Sequence, residues 1–127
     1  METVDFITLE SRDDLIVSFA IGGEYPGDVI SLTLLRMPKY EFCLGPDERG
    51  VKISRDDLPE SEEDMLAAIR WEGTKVSLLT TEGRRYELDV HHVDGDEVRE
   101  AKRILRKMNA DPAFRLEIVE RPGGHGS

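Results

Sequence analysis

Short runs of alternating apolar and polar residues recur from residue 3 to residue 90, separated by glycine, proline and acidic turns. Alternation with period two marks half-buried strands, because successive side chains point to opposite faces. A chain written this way is committed largely to a sheet. "TVDFITLE" sets Val4, Phe6 and Thr8 against Asp5, Ile7 and Leu9, while "DLIVSFAI" places Leu15, Val17, Phe19 and Ile21 on one face. The Ser-Arg-Asp-Asp stretch between them is short enough for a hairpin. After the breaker-rich loop "GGEYPGD", the segment "VISLTLLRM" turns Ile30, Leu32 and Leu34 one way and Ser31 and Thr33 the other. Pro38 ends or kinks that strand, having no N–H to give to a ladder.

Two further strands are expected in "KYEFCLG" and "VKIS". The first would share Tyr40, Phe42 and Leu44 on one face and Glu41 and Cys43 on the other. Pro46, Asp47 and Gly50 supply the turn chemistry for a hairpin between them. Residues 61–73 read two ways. Ser61 could cap a helix that Gly73 stops, or Met65, Ala67, Ile69 and Trp71 could share one face of a strand. The strand is the better reading, because "KVSLLTT" and "RRYELDV" follow as strands joined by Glu-Gly, completing a three-strand meander.

The one segment with helical period is "VDGDEVREAKRILRKMN". Asp94 is placed as N-cap, with Glu97 at N3 in a variant capping box and Val93 and Val98 at the staple positions. Acidic residues open the helix and Arg106 and Lys107 close it, matching the macrodipole. Val98, Ala101, Ile104, Leu105 and Met108 form its apolar arc. Asn109 and Pro112 mark its end, and "AFRLEIVE" supplies a last strand. The expectation is an α+β fold: a curved antiparallel sheet of roughly seven to nine strands with the helix over residues 95–109 packed on it. Residues 1–120 read as a single domain and residues 121–127 as a flexible tail.

Charge narrows the functional classes. Residues 1–64 hold 16 acidic and 6 basic side chains, whereas residues 65–127 hold 11 of each, so the whole net charge of -10 belongs to the first half. Six carboxylates, Asp56, Asp57, Glu60, Glu62, Glu63 and Asp64, fall in one nine-residue run. Such a field opposes nucleic-acid phosphates and favours basic partners. No apolar stretch approaches the ~20 residues of a membrane helix, no signal peptide is visible, and the single cysteine forms no internal disulfide. A cytoplasmic setting is expected.

Catalytic signatures are absent. Glu41 beside Cys43 would raise a thiol pKa, and no helix is expected to start there, so Cys43 reads as a structural side chain. A third class, an enzyme using Cys43 with His91 or His92, would require a reactive thiol. His91 and His92 are adjacent, which on a strand aims them at opposite faces, so no metal site is expected. The glycines of "IGGEYPGD" match no phosphate-binding pattern, and no cofactor is implied. The helix's outer face carries Arg99, Lys102, Arg103, Arg106 and Lys107, with Asp96–Arg99 and Glu100–Arg103 positioned to pair locally.

The leading expectation is a soluble, non-catalytic interaction protein that binds or neutralises a basic protein partner through the acidic run, with Tyr25 in its loop as a contact residue. The alternative is a small-ligand-binding sheet or barrel with a cavity lined by apolar strand faces under the Tyr25 loop.

Overall fold

A computed structural model describes residues 1–22, 27, 29–43, 49–56 and 64–119, with the backbone alone for residues 40, 42 and 43. Residues 23–26 with Tyr25, residue 28, and residues 44–48, 57–63 and 120–127, where a turn and a tail were expected, lie outside the described residues. The fold is α+β, with eight strands and one α-helix among the described residues. In chain order these are β1 (Glu2–Ser11), β2 (Leu15–Gly22), β3 (Val29–Arg36), β4 (Lys52–Arg55), β5 (Asp64–Glu72), β6 (Lys75–Thr80), β7 (Arg85–Asp89), α1 (Gly95–Met108) and β8 (Arg115–Val119).

The strands run in the order β4-β3-β2-β1-β7-β6-β5-β8, and β4 also pairs with β5. Seven strands therefore close into a ring. The closure is brief, Lys52 opposite Met65 and Ile53 opposite Asp64, after which β8 lies along β5 from Ala68 to Glu72. The sheet is mixed where uniform antiparallel pairing was expected. Both departures, β1 with β7 and β5 with β8, are parallel and join strands far apart in the chain. Alternation within a segment carries no information about such distant partners.

Residues 64–72 adopt the strand reading, with Leu66, Ile69 and Trp71 buried. Gly73 takes φ 60° in the tight turn to β6, where Glu72 pairs with Lys75. β1 is less regular than its alternation implies. Its register with β2 steps from Val4↔Ile21 to Phe6↔Ala20, leaving Asp5 as the extra residue of a β-bulge. The bulge turns Val4 and Ile7 both inward and leaves Phe6 48% exposed on the outer face, which reconciles two apolar series that strict alternation sets on opposite faces.

Beyond its first residues β1 has no strand on its second edge among the described residues, and α1 packs there, against β1, β2 and β8. Glu97 accepts the Ile7 N–H at 2.9 Å through Oε1, so it satisfies a strand donor rather than completing a capping box. Asp94 does cap the helix, accepting the Asp96 N–H at 2.8 Å. Ala101, Ile104, Leu105 and Met108 are buried against the sheet, as the helical period requires. Beneath them Phe19 and Trp71 meet with ring centroids 6.2 Å apart.

The segment expected to be a strand around Cys43 is a 3-10 helix, Pro38–Cys43. Among the described residues no pairing joins it to residues 51–54, and β4 pairs instead with β3 and β5. The cause is electrostatic as well as steric. Pro38 cannot extend a ladder, and Glu41 turns to grip Arg36 through two contacts of 2.8 Å. Arg36 is only 5% exposed. Its guanidinium also makes two bonds to Asp111, at 2.7 and 2.8 Å, and donates to the Met108 carbonyl at the end of α1. One cation thus ties β3, the 3-10 helix and the helix terminus together. Arg36 holds both carboxyls below their ordinary range, and they in turn raise its own pKa.

Candidate functional site

The acidic run enters and leaves the described structure through Asp56 and Asp64, and both ends serve the fold. Asp56 donates its N–H to the Ser31 carbonyl at 3.1 Å and accepts the Ser31 N–H on Oδ2 at 3.1 Å, extending the β3–β4 pairing by one residue. Asp64 is 5% exposed. Its Oδ1 accepts from the Met65 N–H at 2.8 Å, the Thr81 hydroxyl at 2.9 Å and the Glu82 N–H at 3.2 Å. The Arg84 guanidinium stands 3.8 Å from Oδ2. Burial pushes the Asp64 carboxyl up, but hydrogen bonds, those from Thr81, Met65 and Glu82 among them, outweigh it and hold it below the usual range. Asp64 is therefore an ionised pin between β5 and the β6–β7 turn and is not a solvent-facing contact group. Asp57, Glu60, Glu62, Glu63 and Tyr25 lie outside the described residues.

The described apolar strand faces pack on one another and on α1, and the Tyr25 segment, under which a ligand cavity was expected, lies outside the described residues. An open groove of about 790 Å³ lies on the opposite, outward side of β5–β8. Its floor is low because Ala68 and Ser77 are short. Its walls are tall because Arg70, Arg85 and Arg115 rise around them. Cross-strand register sets one row as Arg115–Ala68–Leu79–Arg85 and the next as Glu117–Arg70–Ser77–Glu87. At the far end Glu2 forms a bidentate pair with Arg55 at 2.6 and 2.8 Å, and the Arg55 guanidinium lies 5.7 Å from the Tyr86 ring centre.

Sequence reading missed this row. Alternation in "AAIRW", "RRYELDV" and "FRLEIVE" does place Arg70, Arg85 and Arg115 on outward faces. Bringing Arg115 into line with Ala68 needs the parallel β5–β8 pairing, which nothing local announces.

The remaining candidates are accounted for locally. On α1, Arg99 pairs with Asp96 at 2.9 Å, and Arg103 donates to Glu100 at 2.7 Å through Nε, as the helical spacing predicts. Lys102 lies over the Trp71 ring, 5.5 Å from its centre. His91 and His92 do not diverge. β7 ends at Asp89, and in the turn that follows the two rings meet with centroids 3.8 Å apart, tilted by 41°. His91 Nδ1 sits 2.8 Å from Asp89 Oδ1. Among the described residues no group of three or more His, Cys, Asp or Glu side chains is placed to hold a metal ion. Likewise, no described helix is long and apolar enough to cross a membrane. No protein-family model matches the chain, and neither a curated protein nor a solved structure matches it.

Proposed function

We propose that this chain is a non-catalytic cytoplasmic interaction protein whose acidic half engages a basic surface on a partner protein. The observation that supports this reading is the charge asymmetry of the sequence, together with the grouping of the strands that its acidic half supplies. Strands β1 to β4 are contiguous neighbours in the sheet and all come from the first 55 residues. The described strands of that acidic half thus stand side by side and are not interleaved with β5 to β8. An asymmetric charge distribution of this kind speeds encounter with an oppositely charged surface and suppresses wrong partners.

The test uses a variant that spares the fold. Asp56 and Asp64 are kept, and Asp57→Asn is combined with Glu60→Gln, Glu62→Gln and Glu63→Gln. Wild-type protein is expected to co-purify with a basic protein from the native cell at low salt. Association with that protein should slow by about tenfold or more in the variant, and fall with added salt in the wild type. Equal association rates for the two proteins, or a complex indifferent to salt, would overturn the reading.

A further inference from the structure

We propose that the groove on the outer face of β5–β8 is a second binding site, which takes an extended acidic peptide segment with carboxylates four residues apart. This inference does not rest on the role of the acidic run. The geometry begins with the row Arg115–Ala68–Leu79–Arg85. Neighbouring strands lie ~4.8 Å apart, so the two terminal arginines are anchored about 14 Å from one another across an apolar floor. An extended peptide advances ~3.3 Å per residue and shows alternate side chains on one side. Residues i and i+4 of such a peptide therefore match the two arginines, and residue i+2 stands over Ala68 and Leu79. The recognised pattern is acid–x–apolar–x–acid.

The arginines are free to exchange partners. Arg85 is exposed and makes no ion pair among the described residues. Arg115 is 81% exposed and approaches Glu117 only to 3.8 Å, while Arg70 lies 3.3 Å from Glu72 and 3.6 Å from Glu117. Open contacts of this length are worth tenths of a kcal/mol. A carboxylate meeting a guanidinium in a bidentate pair, partly screened from water by the groove walls, makes a stronger bond. Arg70, one row inward, adds a third guanidinium beside the middle of the peptide. Glu87 stands in the same row as Arg70 and limits how much negative charge the centre of the groove accepts, which favours an apolar residue there over a third acid.

The same charges select against a polyanion. The molecule carries -10 overall, so a nucleic-acid strand extending past the groove meets repulsion. A short acidic segment stays within the local field, since potentials at physiological salt decay over ~8 Å.

The experiment titrates the full chain with a blocked peptide, Gly-Glu-Ser-Leu-Ser-Glu-Gly, and follows backbone amide shifts by NMR. Three comparison ligands are used: the same composition rearranged as Gly-Glu-Glu-Ser-Ser-Leu-Gly, the Gln-for-Glu peptide, and a thymidine oligonucleotide. Saturable shifts are expected at Ala68, Leu79, Arg85 and Arg115 with the first peptide. The rearranged peptide should bind about tenfold more weakly, and the Gln peptide more weakly still. Arg85→Gln and Arg115→Gln should each weaken binding by about tenfold, while Arg99→Gln on the helix should leave it unchanged. All three arginines are exposed, so these variants are expected to fold as the wild type, which the amide spectrum itself reports. Equal binding of the two Glu peptides, preferential binding of the oligonucleotide, or indifference to both groove substitutions would overturn the proposal.

Discussion

Replacing Arg36 with methionine is expected to lower the stability of the protein by about 2–3 kcal/mol, measured by urea or guanidinium unfolding at neutral pH. Removing one partner of a buried ion pair costs up to about 5 kcal/mol, because the remaining charge is stranded in a poorly solvated place. Here the cost sits lower in the range, since Asp111 is 60% exposed and water recovers it, whereas Glu41 is 15% exposed and is left without its cation. The methionine keeps most of the packing of the arginine stem, so the loss reports the charge network and the Met108 carbonyl. Acid should report it too. The folded pKa values of Glu41 and Asp111 lie below their ordinary values of 4.5 and 3.8. Their contribution is therefore complete above about pH 4.5 and is lost as pH falls through the lowered folded values. The wild type should lose stability steeply across that interval and Arg36→Met more gently. An unchanged acid slope in the variant would show that Arg36 does not govern those carboxyls.

Trp71→Ala should cost more, about 3–5 kcal/mol. Trp71 is wholly buried, meets Phe19 on one side and lies under Lys102 on the other. It links the inner surface of β5 to β2 and to the helix, so truncation removes contacts to three elements and leaves a cavity they cannot all collapse to fill. Trp71→Phe should be much milder, under about 2 kcal/mol. It loses volume, but it also removes an indole N–H that makes no hydrogen bond among the described residues, and a buried unpaired donor costs ~1–3 kcal/mol. Equilibrium unfolding of the two variants followed by circular dichroism checks both values. A Phe variant as unstable as the Ala variant would mean that the indole N–H has a partner that matters.

Much of the secondary structure was legible because it depends on local period. The helix, its Asp94 cap and the β5–β6–β7 meander all follow from spacing and from turn residues such as Gly73 and Gly83. Where the expectation failed, a distant partner had decided the outcome. Glu41 looked like a strand residue facing the same way as Cys43, but it lies in a 3-10 helix and bonds to Arg36, which Asp111 from the far end of the chain also holds. Glu97 looked like a capping residue, but the edge of β1 beyond its pairing with β7 offered it the Ile7 N–H. Asp64 looked like one of six equivalent surface acids, yet the β6–β7 turn surrounds it with donors. The groove was invisible for the same reason, since its arginines lie on three strands whose order the sequence does not announce.

The way the ring closes also sets an order of events for a chain leaving the ribosome. When β1 to β4 have emerged, they can pair among themselves, but both outer edges of that four-strand sheet stay open. β4 waits for β5, and the start of β1 waits for β7, with Glu2 finding its place beside Leu88. The rest of the β1 edge waits longer still, for α1 and the Glu97 carboxylate. Unpaired edges of this kind are templates for pairing with other chains, and long-range closure slows folding relative to local structure. During that interval, self-repulsion among acidic first halves would keep nascent chains apart while their edges remain uncovered.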